Sequence, residues 1–102
     1  MSAYAAPAKW YENGGLQNAT AAQWNAAPES QKIATCADMI ASMWMKKDLR
    51  PDIQKKIRSM DDLKPYCVIL SQEIDKAFAD SVEGVPVREA AAAIIILLKW
   101  EK

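Results

Sequence analysis

The chain of 102 residues contains no histidine. That absence excludes a Ser-His or Cys-His nucleophile pair and any histidine metal site. Two cysteines without histidine are too few for a zinc site. With three glycines and no strand-type alternation, hairpins are not expected. Neither charge sign dominates, because 13 basic and 13 acidic residues cancel. Wholesale nucleic-acid binding relies on a basic surface and is not expected here. The longest apolar run, Ala90 to Leu98, falls far short of the ~20 residues that span a bilayer. No glycine loop is built to cradle phosphate. No carboxylate pair reads as an acid–base dyad, and no cofactor or metal is expected. An enzyme is therefore the class these residues support least.

Half of the residues, 51%, are apolar, enough for one real core. The length fits a single domain, typically about 100–150 residues. Residues 1–9 lack periodicity and are expected to be loose, with the domain running over 10–102. Ala3-x-Ala5, followed by Ala6, matches the site at which a signal peptide is cut. A plain alanine-rich start is the other reading.

Asn13-Gly14-Gly15 signals a turn. Thr20 and Gln23 form a capping box, which starts a short helix from Ala21 to about Ala27. Pro28 suits the first position of a second helix. Ile33, Cys36, Ala37, Ile40, Met43 and Trp44 share one face of it, to about Lys47. Thr35, Asp38 and Ser42 are expected on the opposite, solvated face. Pro51 opens a third helix with Ile53 and Ile57. Ser59, Asp61 and Asp62 are cap candidates for the fourth, and Pro65 favours Asp62, because it then sits in the first turn. Leu63, Tyr66, Cys67, Leu70, Ile74, Ala77 and Phe78 form that helix's inner face, widened by Val68 and Ile69. Pro86 opens a last helix to about Trp100, apolar all round from Ala90. The expected fold is all-α, one bundle of four to five helices.

Trp10-Tyr11, Gly14-Gly15, Leu16, Ala19-Thr20, Trp24, Ala26-Ala27, Ile33-Ala34-Thr35 and Ala37-Asp38 fall in a recurring order. In this the segment resembles a family of small exported bacterial proteins of unassigned function. Ser59-Met60-Asp61-Asp62-Leu63-Lys64-Pro65-Tyr66 and the closing helix near Trp100 are also similar to it. The resemblance implies export to the periplasm or beyond, and implies no activity. Thr35 to Ile40 is similar to the first cysteine helix of small periplasmic acid-stress chaperones, which hold one disulfide.

Cys36 and Cys67 fall on core faces of two long helices. They read either as buried free thiols or as a disulfide clamp. A bridge would close a loop of about 30 residues and stabilise by roughly 3 kcal/mol. Trp10, Tyr11, Trp24, Trp44 and Trp100 either pack the core or contribute a binding surface, since Trp and Tyr dominate interface hot spots. Trp10 and Tyr11 are the leading surface candidates, with Trp24, Ile96 and Trp100 beside them. A basic run (Lys46, Lys47, Arg50, Lys55, Lys56, Arg58) and an acidic run (Glu73, Asp75, Asp80, Glu83, Glu89) are solvated faces, or a polarised surface that steers a charged partner or anionic lipid. The leading expectation is an exported, non-enzymatic protein that binds an unknown protein partner through the aromatic segment or the last helix. An immunity or inhibitor role fits by analogy. A periplasmic acid-stress chaperone is the alternative, and self-association through Ile94–Leu98 is a further expectation.

Overall fold

The computed structural model describes residues 9–80 and 84–102. The expected loose start lies outside them except for Lys9, as do Ala3-x-Ala5 and Glu83. The described residues form five helices and no strand: α1 (Ala21–Ala26), α2 (Glu29–Met45), α3 (Pro51–Gln54), α4 (Met60–Phe78) and α5 (Val87–Leu97).

Helix α4 is the centre, and α1, α2 and α5 pack against it. Leu63, Cys67, Leu70, Ile74 and Phe78 on its inner face are each at most 1% exposed. Burying one such side chain contributes about 1.5–3 kcal/mol. The apolar face is narrower than its sequence suggests, for Ala77 and Ile69 are exposed.

The capping box of α1 forms as expected: Thr20 Oγ1 accepts from the Gln23 amide, and Gln23 Oε1 accepts from the Thr20 amide. Pro28 caps α2 rather than opening it, and Pro86 stands likewise before α5. Helix α4 starts a turn earlier than Pro65 implied. Ser59 is its N-cap and Pro65 lies inside it. In the second turn the proline gives no hydrogen bond to the Asp61 carbonyl and crowds that carbonyl with its ring. Asp62, favoured as the cap, sits in the first turn, where a carboxylate is stabilised, and its side chain accepts from the Arg58 amide.

Thr35 is fully buried, which corrects its expected solvent position. Residues 14–19 lie along that face of α2. The Gln31 side chain donates to the Gly14 carbonyl, and the Leu16 amide donates to Thr35 Oγ1. Gln17 donates to the Asp38 carboxylate. The polar residues there serve the backbone and side chains of a packed loop. The same loop then meets α5, where Val87 and Arg88 amides donate to the carbonyls of Ala19 and Gln17. Two orphan amides at the α5 N-terminus are thereby satisfied without a side-chain cap.

Helices α2 and α5 end identically, each shorter than expected. Lys47 (φ 59°) and Lys99 (φ 59°) adopt the left-handed conformation just past the helices. The amide of Asp48 reaches back to Met43, and that of Trp100 to Ile95, in a Schellman arrangement. The exiting segments then pair antiparallel at Leu49 and Glu101.

A candidate docking groove between α2 and α5

Helices α2 and α5 each pack chiefly against α4, and run side by side in the same direction. Between them lies a groove of about 470 Å³. Met39 and Met43 of α2 and Ala92, Ile95 and Ile96 of α5 supply its apolar lining. Gln17 and Arg88 close one end, where the loop crosses. Asp48 and Glu101 close the other, where the exit segments pair. Asp38 and Ser42 edge the α2 side. Arg88 is tethered to the Asn18 side-chain oxygen. Backbone hydrogen bonds at both ends make the groove a built feature: Arg88 amide to Gln17 carbonyl at 2.9 Å, Lys102 amide to Asp48 carbonyl at 2.7 Å. Methionine lining suits adaptable apolar contacts.

The structure scatters the sequence-predicted surface residues. Trp24 is a core residue with no exposed surface. Its indole Nε1 donates to Asp75 Oδ1 at 2.8 Å, and Lys32 Nζ reaches the same oxygen at 2.9 Å. Trp100 is 8% exposed and stacks edge-on against Tyr66. Trp10 and Tyr11 are half-buried and stack edge-on against each other. Trp10 Nε1 donates to Asp61 Oδ1 at 2.8 Å, and Lys64 lies over its ring. Trp10 and Tyr11 thus fix residues 10–11 to the start of α4. Of the predicted set, Ile96 alone is a large exposed apolar side chain, 60% exposed, and it lines the groove. Met39, Met43 and Gln17 line the groove without a signal in the sequence that marks them for it. Helical spacing places Met43 on the apolar face of α2, where it packs partly buried against the core, and the open gap beside α5 has no signature along the chain.

Cys36 and Cys67 face the interior from α2 and α4, both as free thiols. The bridge is not formed in this structure. Burial raises the Cys36 thiol well above its ordinary value, helped by the charges of Cys67 and Asp75. Burial likewise pushes Cys67 up to about 12, with Asp38 adding to the rise. Reactive cysteines need the opposite shift, so these behave as small apolar core groups. Among the described residues, no group of three or more cysteine, aspartate or glutamate residues is placed to hold a metal ion, and no helix is long and apolar enough to cross a membrane.

No family model, no curated protein and no solved structure matches this chain.

Proposed function

We propose that this protein is a non-enzymatic binding protein, exported from the cytoplasm, which takes an amphipathic segment of a protein partner into the groove between α2 and α5. The observation that carries the reading is the groove itself: an apolar lining with Ile96 exposed, framed at both ends by backbone hydrogen bonds. The partner segment presents two or three apolar side chains on one face, matching the lining, with polar residues meeting the edges. Export is supported by the Ala3-x-Ala5 pattern and by the family resemblance.

Photo-crosslinking tests the binding reading. A crosslinker placed at position 96 in the source cells is compared with one at Gln72, exposed on α4. The expected result is one adduct from position 96, absent from position 72 and lost with Met43→Asp. Adducts at equal yield from both positions, or none from either, overturn it. Export is checked separately by fractionating the source cells: a protein confined to the cytoplasm overturns that half of the proposal.

A further inference from the structure

The paired ends of α2 and α5 form a second surface, beyond the end of the groove that Asp48 and Glu101 close. Met45, on the last turn of α2, is 78% exposed, and Leu97, on the last turn of α5, is 79% exposed. The pairing of Leu49 with Glu101 holds these two helix ends at one end of the molecule. Beside the two apolar tips stand Lys46, Lys47, Lys99 and Lys102, all exposed. Helix α3 is fastened to the same end: Gln54 donates to the Trp44 carbonyl, and Arg50 to the Lys99 carbonyl. It brings Lys55 and Lys56, also exposed. None of these six lysines forms an ion pair among the described residues. Acidic groups stand at this end too: Asp52, held by Arg50, Asp48 and Glu101 on the exit segments, and Asp62 in the first turn of α4, which accepts from the Arg58 amide.

We propose that this end of the molecule docks on an anionic lipid surface. Charge complementarity is the first reason, since polybasic clusters are attracted to acidic headgroups. The form of the apolar surface is the second. A protein hot spot is usually recessed and ringed by contacts that exclude water. Here two large apolar side chains protrude singly from helix ends, among long lysines whose charged heads can stay with the headgroups. Such a pattern inserts shallowly at the boundary between headgroup and acyl chain, without spanning the bilayer. In this orientation the chain lies against the membrane through its helix ends, and the groove alongside stays open.

The test is sedimentation of the full chain with vesicles of phosphatidylglycerol in phosphatidylcholine, and with phosphatidylcholine alone. Binding is expected to the mixed vesicles, and to weaken as sodium chloride screens the charges. Replacing Met45 and Leu97 together by serine is expected to lower partitioning roughly tenfold. Reversing Lys46, Lys55 and Lys56 to glutamate is expected to cost about fivefold or more per lysine. Ile69→Ser, an exposed apolar change on α4, is expected to leave binding unchanged and controls for general loss of apolar surface. Equal binding to both vesicle types, no binding to either, or equal losses from Ile69→Ser overturn the proposal. So does binding that ignores the serine changes, which would leave only charge adsorption. Capture at position 96 is unaffected by these outcomes, so the two proposals fail separately.

Discussion

Gly14 lies directly on the backbone of Thr35: a Cβ built on the glycine would come within 2.7 Å of the Thr35 amide nitrogen and 2.9 Å of the Ala34 carbonyl carbon. Those are backbone atoms of a packed helix and cannot swing aside. Gly14→Ala therefore lifts the loop from α2, disturbing both the Thr35–Leu16 bond and the loop's contacts with α5. Overpacking of this kind costs about 1–3 kcal/mol. Urea denaturation is expected to show that loss, and Thr35→Val, which leaves the buried Leu16 amide without its acceptor, a loss of about 1–3 kcal/mol.

This contact also shows what was legible beforehand. The helices were, because their apolar spacing repeats within one element: Cys36, Ala37 and Ile40 on α2, and Cys67, Leu70 and Ile74 on α4, are buried as the periodicity requires. Thr35 was not, because its burial depends on a loop 19 residues away in sequence. Its polarity suited solvent and a backbone partner equally well. The cap of α4 departs from expectation for a related reason. Proline's local rule favours Asp62 as the cap, and the packed helix tolerates Pro65 in its second turn. The groove depends on two helices that share a neighbour without filling the space between them, which no single segment encodes. Ile96 was identified only because the last helix carries more apolar surface than one face can bury.

Lys47 and Lys99 carry a backbone strain that glycine would relieve. A side chain in the left-handed region costs about 1–2 kcal/mol. Glycine removes that cost and adds roughly 0.5–1 kcal/mol of unfolded-state entropy. Lys47→Gly and Lys99→Gly are each expected to stabilise the protein slightly, raising the thermal midpoint by a few degrees in a small domain. Calorimetry checks this. Lys46→Gly, one residue earlier with ordinary helical φ, is expected to lower the midpoint.

Arg50 holds the end of the chain. Its amide donates to the Trp100 carbonyl at 2.7 Å and its guanidinium to the Lys99 carbonyl at 2.9 Å, while Asp52 steadies the side chain. The hydrogen bond from Arg50 also holds the Asp52 carboxyl below its ordinary value. Arg50→Ala is expected to loosen the paired segment without unfolding the bundle. Hydrogen exchange should quicken at the Lys102 amide, which donates to Asp48, and stay slow at buried α4 amides such as Leu70. The Asp52 carboxyl should titrate higher in the variant than in the parent, read by carbonyl chemical shifts. Uniform quickening across α4 would mean that Arg50 supports the whole fold rather than this segment.

The two buried thiols make stability fall in alkali. An unfolded cysteine loses its proton near pH 8.5. In the folded protein Cys67 keeps it to about 12, and burial raises Cys36 as well. Below pH ~8.5 both states are protonated and the contribution of each thiol is fully present. Above it the unfolded chain releases protons that the folded chain retains, so unfolding is favoured as pH rises. The loss grows by up to about 1.4 kcal/mol per pH unit for each thiol and, for Cys67, continues through its folded value. Urea denaturation of the reduced protein across this range is expected to show the decline, and Cys36→Ala/Cys67→Ala to flatten it. The slope is the readout, since the cavities left by alanine lower stability at every pH. The same comparison separates the two states of the pair. Protein purified from the source cells without reductant either declines like the reduced chain, which means free thiols in the core, or follows the flat profile of the alanine variant. The flat profile, with a denatured thiol count of zero and a monomer mass, would mean a Cys36–Cys67 bridge, formed before the core closed around two thiols that are buried in the folded chain.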